Sequence, residues 1–187
     1  MTSPQVSRWL DDWQNVNLSE SEREHAMWYY WTARASDRDV IDDLEWSMLL
    51  GTSVRGLCNV LGLLAECDRI PEERMQSVED AIRSLQSGRQ SDDARFAARR
   101  LAARRVLRRF VAGVATAEEL IEAVVQKGAS SAALEAARLL DDDSRQRLMI
   151  VSEREKVFSR YQRHQLRELC RRARPDRGGS PEDPDRG

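Results

Sequence analysis

Apolar residues recur along most of this chain at three- and four-residue spacing, the period of a helix with one buried face. Val6, Trp9, Leu10 and Trp13 fall at i, i+3, i+4 and i+7, behind Ser3-Pro4, which reads as an N-cap with proline at the first helical position. A second start signal, Ser19 followed by Glu22, is a capping box. It opens a helix expected over about 20–35. Within it the run His25-Ala26-Met27-Trp28-Tyr29-Tyr30-Trp31 is apolar at almost every angle. A helix without a polar face is a buried one, so this run is expected to form the central post of the fold.

The same period continues downstream. A third helix over about 37–50 is expected to bury Val40, Ile41, Leu44 and Met48, with Trp46 and Leu49 to one side. A fourth, over about 53–67, carries Val54, Leu57, Cys58, Leu61, Leu64 and Ala65. Gly56 and Gly62 inside it each cost about 1 kcal/mol against alanine, which points to close approach of a neighbouring helix. Ile70-Pro71 opens a fifth, with Met75, Val78, Ile82 and Leu85 on its stripe. Beyond a polar hinge over 87–93, a sixth helix over about 92–113 places Phe96, Ala103, Val106, Leu107 and Phe110 on one face and arginines on the rest.

Thr116 and Glu119 form another capping box, ahead of Leu120, Ile121, Val124 and Val125, and Lys127-Gly128 reads as a stop. A short helix with Leu134, Ala137 and Leu140 follows, then one long helix over about 143–173 with Leu148, Val151, Phe158 and Leu169 as core positions and Ile150, Val157 and Tyr161 beside them. No alternating strand pattern and no fixed-length repeat is present. The pattern predicts an all-α fold, a compact multi-helix bundle or helical-hairpin stack of about eight to nine helices. One domain is expected over 1–174, and the Pro-, Gly- and Asp-rich stretch 175–187 reads as a disordered tail.

Composition agrees with a globular chain: 41% of the 187 residues are hydrophobic and 33% charged. Charge changes the picture more. The formal net charge is −2, yet residues 1–94 sum to −9 and 95–174 to +9, the tail adding −2. This allows an acidic lobe over 1–88 and a basic lobe over 92–174. It predicts that the two halves face each other, within one chain or between copies, or that the basic half meets a polyanion.

All five tryptophans lie in the first quarter. Most are expected in the core, and Trp28, Trp31 and Trp46 are the candidate partner anchors, because aromatic residues dominate interface hot spots. The arginines of the sixth and last helices are the alternative lead. Arg100, Arg104, Arg105 and Arg108, with Arg160, Arg163 and Arg167, would follow a phosphate backbone if the two helices lay side by side. Glu22-x-x-His25 has the spacing of half a di-iron site, but no second such pair accompanies it. No catalytic triad, metal motif or cofactor motif is legible, so no cofactor is expected.

Three cysteines without a CxxC pair are expected as free thiols. The absence of a long apolar run argues against a membrane span, and the N-terminal Met-Thr-Ser-Pro-Gln does not resemble a secretion signal. The expectation is a cytoplasmic, non-enzymatic helical adaptor or assembly subunit. It would self-associate or bind a protein through exposed aromatics and charge complementarity, with nucleic-acid binding as the alternative.

Overall fold

The computed structural model describes residues 4–37, 39–53, 55–86, 91–126, 130–156 and 158–172. The Ser3 cap, Val54, most of the polar hinge, the Lys127-Gly128 stop, Val157 and the tail from 175 lie outside the described residues. Ten α-helices and no strand occur among the described residues, so the chain is all-α. They are α1 (Pro4–Gln14), α2 (Glu20–Ser36), α3 (Asp43–Leu50), α4 (Leu57–Glu66), α5 (Met75–Leu85), α6 (Ser91–Val111), α7 (Ala117–Gln126), α8 (Ser130–Leu139), α9 (Asp142–Glu155) and α10 (Arg160–Arg172). A single 3-10 turn, Glu72–Arg74, precedes α5.

The capping boxes work as read. The Ser19 hydroxyl accepts from the Glu22 amide while the Glu22 carboxylate accepts from the Ser19 amide. Thr116 and Glu119 repeat the arrangement ahead of α7. Four expectations are corrected.

The helix after α2 starts at Asp42, not near Ser36, through a capping box with Glu45. Its rotation differs from the expectation as well. Trp46 and Leu49 are fully buried, while Val40 and Leu44, expected in the core, are 85% and 69% exposed. Gly56 does not lie inside α4. It is the N-cap, at φ +91, where a side chain is strained. Gly62 does mark a close approach: a Cβ there would sit 3.6 Å from Ala97 of α6.

The long last helix is two. The chain breaks at Lys156, which is left-handed (φ 51), and Phe158 turns into the core. Ser159 and Gln162 then cap α10 reciprocally, amide to side chain in both directions.

The buried apolar residues fall into two clusters that share one helix. The first draws on α1 to α5 and on Ala94, Ala97 and Leu101 of α6. The second draws on Ala103 and Leu107 of α6 and on α7 to α10. The run that reads as a central post is not buried all round. Met27, Tyr30 and Trp31 are buried, but Trp28 and Tyr29 reach the surface. Trp31 packs edge-on against Trp13 and Tyr30 at centroid distances of 6.2 and 5.4 Å, and Trp46 lies 6.3 Å away. Helix α1 half-covers the outer side of α2 by stacking Trp9 on Tyr29, ring centroids 5.5 Å apart.

Candidate functional site

The arginine-rich helix α6 turns most of its cations inward. Arg104 is only 3% exposed. Its Nε donates to the Ala65 carbonyl at 3.2 Å and its Nη2 to the Glu66 carbonyl at 2.7 Å. These carbonyls lie at the C-terminus of α4, the negative end of its dipole. Its Nη1 reaches Glu135 of α8 at 2.5 Å. Arg104 thus ties α4 to α8 across the junction of the two cores.

Arg108 donates to Asp68 at 2.7 Å and to the Ile70 carbonyl at 2.6 Å. Arg105 pairs with Glu79, and Arg100 pairs with Glu66 at 3.2 Å. All four candidate phosphate contacts on α6 are therefore engaged by acids and carbonyls of the same chain. On α10, Arg167 is bound to Glu153 at 2.6 Å, Arg163 is half-buried, and Arg160 is exposed without an ion pair among the described residues. Helix α10 packs on α8 and α9, whereas α6 packs chiefly on α4, α5 and α7, so they are not the side-by-side pair that a basic strip requires.

Of the three tryptophans read as partner anchors, Trp31 and Trp46 belong to the core. Their indole N–H groups find no acceptor among the described residues, which makes them costly to bury and unsuited to contact a partner. Trp28 alone presents surface, at 40% exposure. It faces a groove of about 510 Å³ between α2, α4 and α6.

Met27 and Val60 give that groove apolar lining, and Trp28 and Phe96 stand over it. Phe96 is 45% exposed. Glu24, His25, Asn59 and Arg100 supply its polar atoms. The Arg100 guanidinium lies 4.1 Å from the centre of the Phe96 ring, a cation–π contact that holds both in place. Arg99, one residue away, is exposed and has no ion pair among the described residues. Burial near Gly56 is close enough that the Glu24 carboxylate would clash with a Cβ there.

Phe96 was expected in the core. It lies seven and eleven residues before Ala103 and Leu107, hence within about 20° of them around the helix. Those two meet the second core. At the level of Phe96 that core has not begun, so the same face is open. A change of apolar face along α6 is the signal that would have found it.

A second polar cluster sits between α2 and α3. Glu45 accepts from the Tyr30 hydroxyl at 2.5 Å, from Arg34 Nε at 2.6 Å and Nη2 at 2.8 Å, and from the Asp42 amide at 3.0 Å. Burial raises the Glu45 carboxyl, but the bonds from Arg34 and Tyr30 outweigh it and hold the group below its ordinary value. Burial also raises the Tyr30 phenol, helped by the Glu45 charge. Every member is satisfied, so the cluster reads as a structural clamp that orients α3.

Of the Glu22-x-x-His25 pair, Glu22 serves the capping box and His25 Nδ1 lies 2.7 Å from the Ser21 carbonyl. Among the described residues no three His, Cys, Asp or Glu side chains gather as a metal-holding group. Cys58, Cys67 and Cys170 are free thiols, and burial followed by the Asp93 charge pushes Cys58 up to about 11. No described helix is long and apolar enough to cross a membrane. No family model, no curated protein and no solved structure matches this chain.

Proposed function

We propose that this chain is a non-enzymatic helical interaction module that seats a segment of a partner protein in the groove between α2, α4 and α6. The observation that carries the reading is the pair of half-exposed aromatics, Trp28 and Phe96, facing one groove with apolar lining. Other large aromatics of the first core, Trp13, Tyr30, Trp31 and Trp46, are buried. A large ring left in water forgoes roughly 2 kcal/mol or more of burial, and partner docking recovers it.

The chemistry of the rim defines the partner segment. Arg99 has no ion pair among the described residues, and Arg100 is fixed by Glu66 and Phe96. A large apolar side chain entering between Trp28 and Phe96, with a carboxylate next to it, satisfies both features. Two of the polar groups in the groove are already positioned by internal bonds, His25 beside the Ser21 carbonyl and Arg100 with Glu66. That suits recognition better than proton transfer or nucleophilic attack.

Display of random peptides against the folded chain tests the reading, with the Trp28→Ser, Phe96→Ser double variant as the comparison. The expected outcome is enrichment of peptides that combine a Leu, Phe or Trp with Asp or Glu, and loss of their binding in the variant. Equal binding to both proteins, or no enrichment, overturns it.

A further inference from the structure

We propose that this chain also assembles head to tail with copies of itself, helix α10 of one copy seated in an acidic groove beside α3 of the next. The groove, of about 410 Å³, lies where α1 passes α3. Leu10, Val40, Leu44 and Met48 give it an apolar lining. With Val16, Val40 and Leu44 are the most exposed large apolar residues of the first half among the described residues, Leu44 because α3 turns Trp46 and Leu49 inward instead.

The charge lining this groove is mainly acidic. Asp37, Asp39 and Asp42 line it, and Asp11 stands next to Leu10 on α1 with no ion pair among the described residues. Arg34 is the one cation in the lining among the described residues, and its guanidinium is taken up by Glu45, Asp37 and the Val40 carbonyl. An occupant that brings a cation and an apolar or aromatic anchor suits it.

Helix α10 offers that combination. Tyr161 projects from it largely exposed. Arg160, exposed and without an ion pair among the described residues, precedes Tyr161 on the same open side of the helix. His164, exposed, lies one turn beyond Arg160. Internal pairing removes Arg100, Arg104, Arg105 and Arg108 of α6 and Glu66, Asp68, Glu72 and Glu79 from the charge split between the halves. It does not reach Asp11 at one end or Arg160 at the other, and both are left for contact between copies.

The groove is built on the first core, and α10 packs on α8 and α9 in the second. The two surfaces differ, so the contact is heterologous. Such contacts add copies in one direction, closing as a ring or continuing as a filament. Charge complementarity of this kind weakens with salt.

Light scattering and sedimentation of the full chain, across concentration and ionic strength, test the proposal. The mass is expected to rise with concentration at low salt and to fall as salt is added. Val40→Asp with Leu44→Asp breaks the groove, and Arg160→Glu with Tyr161→Ser breaks the helix face. All four residues reach the surface, and circular dichroism verifies that both variants fold. Each variant alone is expected to stay monomeric, with the association constant reduced about tenfold or more.

An equimolar mixture of the two variants is expected to form a dimer and stop there. One copy then supplies the intact groove and the other the intact helix, and no third copy fits. Monomers of the wild-type chain at every concentration and salt overturn the proposal. So does unchanged assembly of either variant, or a mixture that fails to pair. The Trp28→Ser, Phe96→Ser variant is expected to assemble normally, which separates this result from the fate of the peptide groove.

Discussion

Glu45 gathers four hydrogen bonds on one half-buried carboxylate, and its value is held below the ordinary range. A carboxyl depressed in the folded state contributes stability that is complete above its unfolded value, near pH 4.3, and is lost as pH falls through the folded value. Glu45→Gln is expected to lower stability by about 2–4 kcal/mol at pH 7, since it leaves the buried Arg34 guanidinium with a neutral partner. Urea unfolding at pH 7 and near pH 3 checks this. The gap between variant and wild type is expected to narrow towards the lower pH, as the wild-type carboxyl takes up its proton. Gly62 makes a contrasting case. A Cβ there meets Ala97 at an ordinary 3.6 Å and the flexible tip of Arg100 at 3.3 Å. Gly62→Ala therefore keeps most of the roughly 1 kcal/mol helix-propensity gain, and the melting temperature is expected to rise.

At the scale of the element, the break between α9 and α10 rests on one strained residue. Lys156 adopts φ 51, a conformation that costs an L side chain about 1–2 kcal/mol and glycine little. Lys156→Gly is expected to stabilise the chain by up to about 1 kcal/mol, after the added freedom of the unfolded state is discounted. A lower melting temperature in that variant would contradict the account of the turn. The break was legible in part. Ser159-Arg-Tyr-Gln162 carries a start signal of the same kind as Ser19-Glu-Ser-Glu22, but the apolar spacing running through Lys156 hides it. Helix α3 was legible in the opposite sense. Asp42 and Glu45 announce a cap, yet the apolar residues permit two rotations, and only the tie from Glu45 to Tyr30 and Arg34 selects one.

At the scale of the whole molecule, α6 is shared by both cores and Arg104 sits where one gives way to the other. Arg104→Met keeps the length of the side chain but removes the donor to the Ala65 and Glu66 carbonyls and to the part-exposed Glu135 carboxylate. The expected cost is about 1–3 kcal/mol. Calorimetry is expected to show the single transition broadening or splitting in two, as the cores lose their polar link. Replacing Arg100, Arg105 or Arg108 follows the same logic, lowering stability more than any affinity for nucleic acid, because their partners are internal carboxylates. The −9 and +9 halves thus meet within one chain, along α6.

The sequence by itself determined which segments are helical and where most of them begin. Helical periodicity and side-chain caps act within four residues of one another, so both are written locally. It also determined that opposite charges lie in opposite halves. Only the tertiary structure decided which face of each helix is buried. An apolar stripe on α3 or α6 has more than one admissible rotation, and the neighbour that covers it is distant in sequence. That is why Trp46 is core and Leu44 surface, why Arg104 is buried while Arg99 stays in solvent, and why Phe96 opens onto a groove in place of the core its stripe suggests.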